Sequence, residues 1–202
     1  MSITKAFIAN MLICLTLASC SKDKTNNDDN NRSGAIPQTL HIYFEAANWK
    51  REIDCSRLVL TPVDSDGENY YVMASSESTA VTFRFSYPNT ATELSKSSHL
   101  KKYAVSDFTD LNAPFQLAMK LPIDASKIAP GNDRLVSNAG FSDTEYTEIV
   151  KIEPAGKEGE YAVFEIQGRY AFKARTVGDS GTGTGSSPVK GTFKFRIFAE
   201  DK

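Results

Sequence analysis

The sequence predicts an all-β fold: an antiparallel β-sandwich of seven or more strands, forming a single domain over residues 38–202, with a β-barrel as the alternative. Three observations predict it. From residue 38 onward apolar side chains recur with a period of two, the mark of strands that bury one face. Turn-forming residues cut this pattern into short runs. Helical periodicity is thin, and the strand–helix–strand alternation of a parallel sheet does not occur. Uneven strand lengths and long loops at 89–112 and 123–147 favour the sandwich over a regular barrel.

The first strand places Leu40, Ile42, Phe44 and Ala46 on one face and His41, Tyr43 and Glu45 on the other. Runs at 58–63 and 70–74 flank Asp64-Ser65-Asp66-Gly67, and an Asp-Gly pair between apolar runs signals a hairpin. Val81, Phe83, Phe85 and Tyr87 alternate with Thr82, Arg84 and Ser86 as far as Pro88. One or two helical turns are expected within 92–102, started by Thr90 with Glu93 three residues later. Phe115, Leu117, Met119 and Leu121 repeat the strand pattern up to Pro122. A run at 148–153 leads through a connection at 154–160 into the longest pattern, where Phe164, Ile166, Gly168, Tyr170 and Phe172 share a face. Gly168 within that run predicts a bulge or a close backbone approach. The last strand covers 189–199, with Phe193, Phe195 and Ile197 inward and Lys190, Lys194 and Arg196 outward.

The 202 residues carry 23 basic and 25 acidic side chains, a formal charge of −2. This balance provides no basic stripe to displace counterions from phosphates, so no nucleic-acid partner is expected. Two histidines and three cysteines exclude rich metal clusters, and no metal or cofactor is assigned.

The N-terminus has a different character. Lys5 precedes a 13-residue apolar run at 6–18, too short for the ~20 residues that a membrane-spanning helix needs. A short apolar run after a positive charge, ending in small residues, reads as a secretion signal over 1–19. Its end, Leu17-Ala18-Ser19-Cys20, resembles the bacterial lipobox. The resemblance implies a diacylglycerol on the Cys20 thiol, cleavage before Cys20, and a fatty acyl group such as palmitate on the new amino terminus. Two or three chains, at ~0.8 kcal/mol per buried CH₂, hold a protein on a bilayer where one does not. The mature chain would start at Cys20, with 183 residues and, after loss of Lys5, 22 basic against 25 acidic side chains.

Residues 20–37 combine the lipidated cysteine with a polar, Asn/Asp-rich tether whose r.m.s. reach is roughly 20–25 Å. Ser21 after the cysteine resembles enterobacterial lipoproteins sent to the outer membrane. Lys22, Asp23, Asp28 and Asp29 resemble the export tag of surface lipoproteins in the Bacteroidetes group. Together they imply an outer-membrane lipoprotein facing the cell exterior, with the periplasmic face as the alternative. Acylation of Cys20 excludes a 20–55 disulfide, and Cys55 then reads as a small buried hydrophobe.

No catalytic set assembles from the sequence. Gly178-Asp179-Ser180-Gly181 spells the residues around the nucleophile of chymotrypsin-like proteases. That chemistry needs a histidine base and an orienting acid; His41 sits in a plain strand, and the Thr/Gly/Ser-rich continuation reads as a loop. Asp64, Asp66 and Glu68 supply too few oxygens for calcium and read as a solvated turn. His41 and Glu45, four residues apart on a strand, stand ~13 Å from each other, too far to share an ion. Asp107, Asp110, Asp143 and Glu145 are the carboxylates from which a hydrolase site would have to be built.

The aromatics suggest binding instead. Trp49 follows a strand among hydrogen-bonding side chains, and of the neighbours Tyr70 and Tyr71 one must point away from the core. Such planes with adjacent donors stack sugar rings, so Trp49, Tyr70 and Tyr71 are the candidate ligand-binding residues. The partner expected beyond the membrane is a glycan or a surface protein. The strand–loop–strand order of 39–72, with Asp66-Gly67, resembles the opening of fimbrillin-type pilus subunits. These are lipoproteins built from transthyretin-like sandwiches, a variant of the immunoglobulin-like arrangement. That resemblance implies a structural or adhesion subunit, with Arg32-Ser33 as its processing site.

Overall fold

The computed structural model describes residues 35–47, 49–123, 133–178 and 185–202. Its strands are β1 (His41–Ala46), β2 (Trp49–Asp54), β3 (Val59–Leu60), β4 (Pro62–Ser65), β5 (Asn69–Ser76) and β6 (Val81–Pro88). A short helix, α1 (Ala91–Leu94), and a 3₁₀ turn at Ser97–His99 precede β7 (Lys102–Tyr103), β8 (Leu117–Pro122) and β9 (Arg134–Ser137). The chain ends in three long strands, β10 (Tyr146–Glu158), β11 (Tyr161–Val177) and β12 (Ser186–Glu200).

The β11–β12 pair is the frame, antiparallel and in continuous register from Tyr161 opposite Glu200 to Arg175 opposite Ser186. Their inward faces alternate as the sequence requires: Phe164, Ile166, Tyr170 and Phe172 on β11 meet Phe193, Phe195 and Ile197 on β12, all buried. Two glycines make this possible. Gly168 stands opposite Phe193 and Gly191 opposite Tyr170, so each ring lies over a residue without a side chain. A Cβ on Gly168 would collide with the Phe193 ring and the Glu148 carbonyl; one on Gly191 would collide with the Tyr43 carbonyl and the Tyr170 phenol. The Tyr170 hydroxyl donates to that same Tyr43 carbonyl at 2.9 Å, fastening β1 over the frame. Gly168 thus meets both expectations, since β10 shifts register between Ile149 and Lys151 where it passes that glycine.

The strands form one sheet in the order β2-β1-β12-β11-β9-β8-β6-β5-β4. β10 adds to the other half of β11, β7 to β10, and β3 runs parallel to the far half of β12. The sheet folds over at β9, which pairs with both β11 and β8. This brings β6 onto β12, with ring centroids 5.6 Å apart for Phe83–Phe195 and 5.7 Å for Phe85–Phe193. The result is the expected all-β, sandwich-like arrangement. It is not a closed barrel, because the path ends at β2 on one side and β4 on the other.

Several elements differ in detail from the sequence reading. The run at 58–63 is interrupted at Thr61, where the chain leaves β12 and joins β5 on the opposite layer. Phe115 does not extend β8: its φ is +61°, its N–H donates to the Ser86 carbonyl at 2.6 Å, and its ring packs on His99 and Tyr103. β10 continues through 154–158, which the sequence gives to a connection. Pro154 has no N–H for the ladder, and a register shift between Pro154 and Gly156 (φ +116°) absorbs it. The helix starts as expected, with the Thr90 side chain accepting from the Glu93 N–H at 3.3 Å.

On the outer face, Lys194 points away from the core yet is 9% exposed. Its ammonium donates to the Gln38 carbonyl at 3.2 Å and pairs with Glu165 at 2.9 Å, while Arg196 pairs with the other Glu165 oxygen at 3.0 Å. Partial burial pushes the Glu165 carboxyl up, but hydrogen bonds from Lys194 and Arg196 outweigh it and hold the pKa below the ordinary value. The unfolded chain therefore binds this proton more readily than the folded one, and the contribution is complete above the ordinary glutamate pKa. Glu165→Gln is expected to cost about 1–2 kcal/mol near neutral pH. In chemical denaturation, the gap between variant and parent should close as pH falls through the depressed folded pKa.

Candidate functional site

The three aromatics singled out in the sequence do not converge. Trp49 opens β2 and turns its indole edge-on to Phe44, with centroids 5.0 Å apart at 87°. Its Nε1–H donates to the Ile123 carbonyl at 3.1 Å, so the ring covers the end of the core. Tyr70 points inward, edge-on to Tyr87 at 6.1 Å, and its hydroxyl donates to Glu200 Oε1 at 3.0 Å. Loss of solvent, then the Glu200 hydrogen bond, push its pKa up to about 12. Tyr71 is the outward member of the pair. Its hydroxyl donates to Asp66, which also accepts from the Glu68 and Asn69 N–H groups and closes the β4–β5 turn. These donors, Tyr71 foremost, hold the Asp66 carboxyl well below the usual carboxylate range. Trp49 pairs with Ala46 and hence lies level with Val189, whereas Tyr70 reaches Glu200 eleven residues further along β12. An extended strand of that length spans roughly 36 Å.

The polar candidates are engaged separately. His41 is 1% exposed; its Nδ1–H donates to the Thr39 carbonyl at 2.7 Å, and its Nε2 shares a hydrogen bond with the Thr192 hydroxyl at 2.9 Å. Asp107 faces Arg175 at 3.2 Å and accepts from Thr109. Asp143 is fully exposed opposite Lys102 at 3.8 Å, Asp110 donates its backbone N–H to the Asp107 carbonyl at 3.0 Å, and the Glu145 carbonyl accepts from the Ser142 N–H at 2.9 Å. Among the described residues, no group of three His, Cys, Asp or Glu side chains is arranged to hold a metal ion. Cys20, the tether, Arg32 and the stretch 179–184 lie outside the described residues.

The concave feature with coherent chemistry lies where the sheet fails to close. At Thr61 the chain crosses from β12 to β5, and beneath this crossing is a cavity of about 310 Å³. Its floor is core: Ile42 of β1, Cys55 after β2, Leu60 of β3, and Val81 and Phe83 of β6, each 3% exposed or less. The Cys55 thiol, buried as expected, donates to the Ile53 carbonyl at 3.7 Å. Its rim is Val63 of β4 and Met73 of β5, 62% and 49% exposed. Val63 is the extra residue of a bulge, since the β4–β5 register shifts between Pro62 and Asp64. Bulges re-aim side chains at functional edges. The hydroxyls of Thr61, Ser75 and Ser76 are the polar side-chain groups of the lining, which includes no charged residue. Sequence reasoning missed this site, because its walls come from six strands, β1 to β6, and the connections between them. The local signal was Pro62, which interrupts an otherwise apolar strand run.

The chain matches no family model, no curated protein sequence and no solved structure.

Proposed function

We propose that this chain is an outer-membrane lipoprotein, anchored through acylated Cys20, that acts as a non-catalytic binding module, facing the cell exterior. Anchoring rests on Leu17-Ala18-Ser19-Cys20 at the end of an apolar run too short to span a bilayer. Outer-membrane placement rests on Ser21, and exterior facing on the tag-like Lys22, Asp23, Asp28 and Asp29. The observation that carries the binding reading is the charge-free cavity at the seam of the sheet. Its volume falls at the lower end of the range for small-molecule pockets. Of the carboxylates that would have to serve a hydrolase, Asp107 and Asp143 instead face separate cationic partners, Arg175 and Lys102. A glycan partner that stacks on the protein would need an exposed aromatic platform. Of the three candidates, only Tyr71 directs its ring outward, and its hydroxyl is held by Asp66.

Labelled palmitate should be incorporated into the wild-type chain, and that chain should sediment with membranes. Cys20→Ser should incorporate none and appear in the soluble fraction. A Cys20→Ser chain that still sediments with membranes would overturn the anchored reading.

A further inference from the structure

We propose that the seam cavity takes the aliphatic chain of a small lipid whose head is uncharged, drawn from the surroundings of the protein. This rests on the binding-module reading above and adds the ligand class. Three features of the cavity define that class.

Size is the first. A cavity of ~150 Å³ lined by aliphatic and aromatic groups holds one benzene ring. About 310 Å³ therefore suits roughly ten to twelve carbon atoms.

The second feature is the lining. Ile42, Leu60, Val81 and Phe83 carry hydrocarbon side chains, and the Cys55 thiol, turned to the Ile53 carbonyl, adds a small polarizable surface. Water in the cavity finds side-chain partners chiefly toward the Thr61, Ser75 and Ser76 hydroxyls, so an apolar chain displaces it from the hydrocarbon part at little cost. Charge is missing from the lining altogether, so a carboxylate or ammonium carried inside would be neither paired nor solvated. The Thr61, Ser75 and Ser76 hydroxyls can bond an alcohol or an ester.

Access is the third. Val63 and Met73 are large hydrophobic side chains of the lining that stay exposed to water, on the paired strands β4 and β5. Each gains by covering a bound chain, and methionine adapts its shape readily to one. The bulge at Val63 holds that side chain at the rim in place of regular alternation along β4.

Equilibrium dialysis of tritiated 1-decanol against the full-length Cys20→Ser chain tests this, because that chain cannot carry an acyl group at residue 20. Saturable uptake of one decanol per chain is expected, with decanoate competing poorly. Met73→Glu and Val63→Glu each change an exposed position, so both variants should melt with the parent. Each should weaken decanol binding by about tenfold or more, since the chain would then lie against a carboxylate. Absence of saturable uptake, or uptake unchanged in both rim variants, overturns the proposal. Stronger binding of decanoate than of decanol overturns the uncharged head. If the acylated wild-type chain takes up no decanol while Cys20→Ser does, the anchor's own acyl chain fills the cavity and the external source is wrong. Uptake by Cys20→Ser and its weakening in the rim variants do not depend on palmitate incorporation, so failure there leaves the anchored reading intact, and the reverse also holds; only the comparison with the acylated wild-type chain requires the anchor.

Discussion

Gly191→Ala should lower the stability of the domain by about 3 kcal/mol or more, near the upper end of what overpacking a core costs. For a domain of this size that is a fall in Tm of roughly 6–12 °C. The cause is backbone meeting backbone. β1 runs beside β12 with Phe44 opposite Gly191, and a methyl group there would overlap the Tyr43 carbonyl as well as the Tyr170 phenol. Side chains relax by changing rotamer, but the carbonyl moves only if β1 moves, and β1 is paired on both edges. Removing the phenol oxygen with Tyr170→Phe should therefore fail to rescue Gly191→Ala. Gly67→Ala is the informative control. Gly67 has a φ of +95° but nothing within 4 Å of a Cβ, so its cost is conformational alone, about 1 kcal/mol. Denaturant unfolding of the three variants separates steric overlap from backbone strain. Equal costs at Gly191 and Gly67 would contradict the close packing of β1 over the frame.

Comparison of β12 with β9 shows what made some of this fold legible. In β12, Phe193, Phe195 and Ile197 enter the core while Lys190 and Arg196 stay out, and a period of two appears directly in the sequence. In β9, Leu135, Val136 and Ser137 are all buried, because a strand at the fold between two layers is covered on both faces. No alternation survives to be read, and the segment looks like part of a loop. The Asp66-Gly67 hairpin was legible for a different reason: its geometry is set by four neighbouring residues and one positive φ. The cavity was not, since it depends on how β3 and β4 divide their pairing between β12 and β5. Register between strands more than a hundred residues apart leaves no local pattern. Trp49 follows β1 as the sequence indicates, but it opens β2 instead of lying in a loop, and its direction was not legible, because the acceptor of its N–H is the Ile123 carbonyl, 74 residues away.

That direction yields the second large effect. Trp49→Ala should cost about 2–3 kcal/mol, less than a wholly buried aromatic because the ring is only partly covered. Two contacts are lost together: the edge-on packing against Phe44, itself fully buried, and the hydrogen bond that ties β2 to the end of β8 at Ile123. Trp49→Phe separates them. A phenyl ring restores part of the contact with Phe44 but cannot donate, so it should recover more than half of the loss and leave about 1 kcal/mol for the missing hydrogen bond. A sugar-stacking tryptophan behaves in the opposite way: its removal abolishes ligand binding while the melting temperature stays where it was. Thermal unfolding and a glycan array on the same three proteins distinguish the roles. A Trp49→Ala chain that melts with the parent and loses a glycan would return Trp49 to the binding surface, whereas a drop of roughly 4–12 °C with an unchanged array profile is the outcome this geometry requires.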